Sequence, residues 1–261
     1  MRVFDLTGQY GWVRLTGATR TDFLHRMSTN HLLGLMVGEA RQTALATPIG
    51  RMIDCVLAIG QLDAVLLMTG AGNAEKVGRW LRKYIFFNDD VQIAVVGMAG
   101  ARGVFEAEVA PLGGIPWPPH GWLILDPGPA SDGVEDGAAF EAYRISRGWP
   151  RYPNEIGEDY IPLEAGLRAA VSFSKGCYIG QEIIARMDAR GQMAKRLMRL
   201  RVEGAASAGA ALFADGASAG ALTSVASADA LGFVRTAYAT PGMVMQTASG
   251  IIVTVVGNAG L

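Results

Sequence analysis

The reading turns on residues 171–200, VSFSKGCYIGQEIIARMDARGQMAKRLMRL. Its first part displays a thiol. Cys177 follows Lys175 and Gly176 and precedes Gly180, Gln181 and Glu182. A cysteine packed as a small hydrophobe keeps apolar company; this one has glycines, a cation and an acid around it. Cations lower a thiol pKa and make it reactive, so Lys175 and Arg186 are its expected activators. Gly176 and Gly180 allow positive φ and close backbone approach to a ligand. Tyr178, Gln181, Glu182 and Arg186 supply groups that could fix a bound molecule. The last part of the stretch is a strand. Met198 and Leu200 alternate with Arg199, the period of a half-buried β-strand.

Outward from there, the C-terminal side reads as strands only. ALTSVAS, ALGFVRTAY and IIVTVVG are separated by Gly, Pro and Ser turns, which predicts a small β-barrel or sandwich from about Gln192 to the end. The N-terminal side is mixed. Val13 and Leu15 open a strand, and Thr21 and Asp22 can start a helix carrying Phe23, Leu24 and Met27. MIDCVLAI (52–59) and AVLLMT (64–69) read as paired strands. Asn73 can cap a helix whose Val77, Trp80, Leu81 and Tyr84 form one apolar face. Strands follow at 91–97 and 104–110, and GWLILD (121–126) makes another inside a segment rich in Pro and Gly. The order implies an α+β fold with mostly antiparallel sheets.

Composition narrows the function. Half the 261 residues are hydrophobic and the net charge is -1, which gives a globular chain without the basic excess of a general nucleic-acid binder. Cys55 and Cys177 do not form a disulfide framework, so a reducing, cytoplasmic setting is expected. His25, His31 and His120 lack zinc-ligand spacing. No apolar run reaches the roughly 18 residues of a membrane span, and MRVFDLTGQY has no signal-peptide pattern. VLLMTGAGNAEKVG mimics a dinucleotide-binding turn, but Glu75 stands at the third glycine position, so it is read as a plain strand-to-helix turn.

The signature KGCYIGQE, with Ala185-Arg186 and Arg190-Gly191 after it, closely resembles that of the YgfZ family, folate-binding relatives of the glycine-cleavage T-protein (aminomethyltransferase). Further resemblances are VRLTGATRTDFLHRMSTN (13–30), ALATPIGRMID (44–54), RKYIFFNDDVQI (82–93), YRISRGWPRYPNEIGEDYIPLEAGL (143–167) and ALGFVRTAYATPG (230–242). The resemblance implies a cloverleaf of three subdomains around a channel that accepts tetrahydrofolate. These would be residues 1–48 with 118–191, a ferredoxin-like 49–117, and a barrel over 192–261. It also implies a role in iron–sulfur cluster assembly or repair that supports tRNA modification, with iron–sulfur enzymes or assembly proteins as partners.

On the same footing, folate would meet Arg144, Asp54, Cys55, Glu164 and the signature loop, with Cys177 the reactive thiol and Lys175 lowering its pKa. Three positions depart from the family pattern, one of them His31 after Asn30, which stands in place of an aspartate and is read as an exposed polar residue. Cys55 stands where the catalytic carboxylate is expected, with Asp54 on the opposite strand face. Ser146 replaces a pterin-binding glutamate. An accessory role is therefore expected over aminomethyl transfer, and RNA binding by the cations near residue 195 ranks third.

Overall fold

The computed structural model describes residues 1–118, 121–128, 132–191 and 193–260. Contacts gather the chain into two units: Met1–Phe140 with Ala169–Gln181, and Glu141–Arg168 with Glu182–Leu261. The signature loop thus belongs to the first unit, although second-unit segments flank it in sequence.

In chain order the first unit contains β1 (Arg2–Asp5), β2 (Tyr10–Thr16), α1 (Arg20–Met27), β3 (Ala40–Ala46), β4 (Met52–Gly60) and β5 (Val65–Gly70). There follow α2 (Ala74–Arg82), β6 (Gln92–Val95), β7 (Ala101–Phe105), β8 (Ile115–Trp117), β9 (Gly121–Leu125) and β10 (Val134–Glu135). Helices α3 (Gly137–Arg147) and α4 (Gln181–Arg190) come next. One sheet runs β3-β4-β5-β2-β6 and a second β10-β1-β7-β9-β8. All their pairings are antiparallel except β1 with β10.

The first sheet is held by a core in which Val13, Leu15, Val56, Ala58 and Leu67 meet Phe23 and Leu24 of α1 and Val77 and Leu81 of α2. The apolar helical face read from the sequence therefore packs as expected. The second sheet centres on aromatics: Phe4 lies 5.8 Å from Phe105 and 5.6 Å from Phe140 between ring centroids.

Several local expectations move. Helix α1 starts at Arg20 after Thr19, so Thr21 and Asp22 sit in its first turn. The strand expected over 104–110 ends at Phe105, because Glu106 turns to φ 55°. The boundary expected at 48/49 falls in the turn between the paired β3 and β4, and that at 117/118 between the paired β8 and β9.

The second unit carries a closed barrel, ordered β11-β14-β13-β12-β15-β16. Its strands are β11 (Lys195–Glu203), β12 (Ala211–Ala214), β13 (Ala217–Ala226), β14 (Asp229–Arg235), β15 (Val244–Thr247) and β16 (Ile252–Asn258). Met198, Leu200 and Val202 enter the barrel core, the alternation seen in the sequence. Gln192, the expected start, lies outside the described residues. Among the described residues no helix is long and apolar enough to cross a membrane.

Candidate functional site

The signature loop is fixed at both ends. A helix leaves its last carbonyls without partners, and a cation there is favourable. Lys175 uses this: its Nζ donates to the carbonyls of His25 (2.5 Å), Ser28 (2.7 Å) and Asn30 (2.9 Å) at and beyond the end of α1. An ammonium has three donors, so all are engaged. Burial draws the Lys175 pKa down to about 8, which leaves it charged at neutral pH. Thr29 adds a second tie, its hydroxyl donating to Ala170 O at 2.6 Å and its carbonyl accepting Ser172 N–H at 2.9 Å.

At the other end Gly180 has φ 83°, and a Cβ there would lie 2.6 Å from Thr47 O. Only glycine fits such a contact in this backbone region. Gly180→Ala is expected to cost about 2–3 kcal/mol from strain and overlap together, read as a lower urea midpoint. An unchanged midpoint would mean that the loop gives way freely. Between the two anchors Gly176 and Cys177 are exposed. Tyr178 is buried, its phenol pushed up to about 12 by that burial, with the Lys175 ammonium 5.3 Å from its ring centroid. The thiol is displayed, as the sequence suggested. Lys175 holds the loop, its donors going to carbonyls.

Asp54 and Cys55 point to opposite faces of β4. Asp54 shares its side with Val56 and Ala58, under the helices, and is fully buried. Its carboxylate accepts Cys55 N–H (2.8 Å), Gly70 N–H (2.9 Å) and Asn73 Nδ2–H (2.9 Å). Asn73 was expected as a helix cap; it makes no capping bond and instead braces Asp54. Burial outweighs these bonds and raises the Asp54 pKa to about 6. Cys55 is partly buried; desolvation, and then the Asp54 charge, push its thiol up, against a Gln42 hydrogen bond.

The raised Asp54 pKa has a consequence for stability. The native state holds this proton more tightly than the unfolded chain. A penalty is therefore absent below about 4, grows as pH rises, and is complete above about 6. From 3.8 to about 6, at 1.36 kcal/mol per unit, it amounts to about 3 kcal/mol. Urea unfolding at pH 4 and pH 7 checks this: the wild type is expected to lose more stability over that interval than Asp54→Asn, and equal losses would refute it.

In the second unit Arg144 is 2% exposed and fully engaged. Nε and Nη2 bind Glu141, Nη2 also binds Ser224 Oγ at 2.8 Å, and Nη1 binds Trp149 O at 3.0 Å and Glu155 at 3.2 Å. These use all five guanidinium N–H groups, so Arg144 has none to offer the folate expected there. Ser146 bonds back to Tyr143 O at 2.7 Å. Glu164 turns onto its own chain, accepting Ile161 N–H at 3.2 Å. Glu182 and Arg186 form an exposed i,i+4 pair at 3.2 Å. Sequence reading missed Glu155 and Ser224, whose partners lie 11 and 80 residues from them along the chain.

A family model, the C-terminal β-barrel domain of CAF17, matches residues 195–261. The tRNA-modifying protein YgfZ of Vibrio vulnificus is 24% identical, over 75% of this chain and 69% of its own length. These likenesses support a chain of the YgfZ/CAF17 type. Also similar are a chloroplastic protein of Arabidopsis thaliana described as a transferase (29% identical, 85% of this chain, 61% of that one) and the aminomethyltransferase of Chlorobium chlorochromatii (25%, 69% and 62%). The chain spans about three fifths of the length of these two relatives.

The chain shares its fold with the glycine cleavage system aminomethyltransferase T of Bartonella henselae. The TM-score is 0.81 at 19% identity, over 98% of this chain and 84% of that one. The mixed α/β architecture with a terminal closed barrel, expected from the sequence, is that fold.

Proposed function

We propose that this chain is a cytoplasmic accessory protein that binds a tetrahydrofolate-type cofactor and serves iron–sulfur cluster assembly or repair, and through it tRNA modification. The observation that carries the reading is the signature loop, clamped by Lys175 and Gly180 with Cys177 left exposed between them. A thiol on a rigid, open loop can meet a partner protein or its cluster. The likeness to a tRNA-modifying YgfZ protein supports the same direction.

The residues present argue against a folate enzyme. Aminomethyl transfer asks for a carboxylate that can act at the cofactor. Asp54 is enclosed by Gly70, Asn73 and its own strand, and the other face of that strand offers the neutral thiol of Cys55. In the first unit Cys55, Gly176, Tyr178 and Gln181 remain the candidates to line a cofactor. Bound tetrahydrofolate would supply a one-carbon carrier; this chain's residues would hold it and exclude water.

A calorimetric titration of the purified protein with reduced tetrahydrofolate tests the first half. Saturable binding is expected, retained in Cys177→Ala. No heat of binding in the wild type would remove the cofactor from the proposal. The second half is tested in cells: Cys177→Ala should lower iron–sulfur enzyme activity under oxidative stress, and wild-type activity would refute the role of the thiol. Tetrahydrofolate-dependent release from an aminomethyl carrier would favour the transferase reading instead, and salt-sensitive tRNA binding the RNA one.

A further inference from the structure

Arg196 is the second residue of β11, and the strand decides where it points. Met198, Leu200 and Val202 project into the barrel core from the same side of the strand. Opposite Arg196 on β14 stands Val234, another core residue. An arginine is thus aimed at the end of an apolar barrel. Among the described residues its buried Nε has no hydrogen-bond partner, and no ion pair reaches its guanidinium. Its neighbours differ. Lys195 donates to Asp159 O at 3.3 Å and lies 4.5 Å from the centre of the Tyr160 ring. Arg168 is paired with Asp188.

A cavity of about 220 Å³ opens here, lined among others by Leu163, Arg168, Met187, Asp188, Met193 and Arg196. The negative groups on its wall are already answered. Asp188 has Arg168, and the carbonyls of Met187 and Asp188 at the end of α4 accept Gly191 N–H, each at 3.1 Å. The group left unanswered is a cation, and the rest of the wall is methionine and leucine. A guanidinium fork matches a carboxylate better than it matches a spherical ion, and the apolar wall favours a ligand with a hydrocarbon body. The volume lies below the roughly 300 Å³ at which drug-sized sites begin, which limits that body to a few carbons.

We propose that this barrel-end cavity is a binding site for a small organic carboxylate, with the carboxylate on Arg196 and the chain against Met187, Met193 and Leu163. It does not rest on the folate reading. The carboxylate could be free or be the end of a longer ligand, and the test separates the two.

The full-length protein, labelled with ¹⁵N, is titrated with butyrate, with butyramide and with p-aminobenzoylglutamate while arginine Nε–H signals are followed. Arg196→Lys identifies the Arg196 signal by its absence. Butyrate is expected to shift it saturably with a millimolar Kd, and butyramide to bind about tenfold more weakly or not at all. Tighter binding of p-aminobenzoylglutamate than of butyrate would place the carboxylate on a longer ligand. The reverse order would make it free; both support the site. Butyrate should also raise Tm in the wild type and not in Arg196→Met or in Met193→Trp, which fills the cavity and keeps the arginine. The proposal is overturned if butyramide or sodium chloride at equal ionic strength reproduces the shift, if neither carboxylate binds, or if both variants keep the Tm response.

Discussion

Arg144→Met is expected to lower stability by about 3–5 kcal/mol, the loss that follows when one member of a buried ion pair is removed. Glu155 is fully buried and would lose the guanidinium that answers it. It would retain Ser224 Oγ at 2.6 Å and Arg151 N–H at 3.0 Å, which is not enough to offset a buried charge. Ser224 and the Trp149 carbonyl would each lose a donor as well. The reading has a sharp check in the double variant. Arg144→Met with Glu155→Gln removes both charges, so it should unfold at higher urea than Arg144→Met alone; strict additivity of the two single losses would show that the pair is not coupled. Were Arg144 a cofactor ligand instead, its loss would weaken tetrahydrofolate binding and leave the urea midpoint nearly unchanged.

Lys175→Met should cost a similar amount, about 3–5 kcal/mol, from three charge-assisted bonds of which the one to Ser28 O is fully buried. Methionine keeps most of the stem's volume, so the loss reports the ammonium and not a cavity. Fluorescence-monitored urea unfolding measures it. A second readout distinguishes loop anchoring from thiol activation: alkylation of Cys177 should become faster in Lys175→Met, because the loop loosens. If alkylation becomes slower while the urea midpoint holds, the lysine activates the thiol and the anchoring account is wrong.

How far the sequence reached can be seen residue by residue. Periodicity located the strands around Met52–Gly60 and Lys195–Glu203 and the face of α2, because each buries one side and the alternation records it. The displayed Cys177 was legible for a similar reason: its neighbours are residues that tolerate water and unusual backbone angles. The task of Lys175 was not legible, because its acceptors are backbone carbonyls, which every residue has. The family resemblance casts Arg144 as a ligand, and nothing nearby in sequence announces Ser224. Asn73 has the right chemistry for a cap, and its use on Asp54 depends on the approach of β4, which local pattern does not encode. The N-terminal strand Arg2–Asp5 went unread since it is too short to show a period.

The interleaving of the two units bears on synthesis. When a ribosome has made residues 1–140, the first unit still lacks its segment 169–181. The carbonyls after α1 wait for a lysine that arrives 150 residues after His25. Until then those carbonyls lack the ammonium that will answer them. The exposed thiol and the clamp that positions it emerge together, so a nascent chain cannot present the loop in its finished form before most of the protein exists. A truncated product ending in that interval would carry both sheets yet have no Cys177.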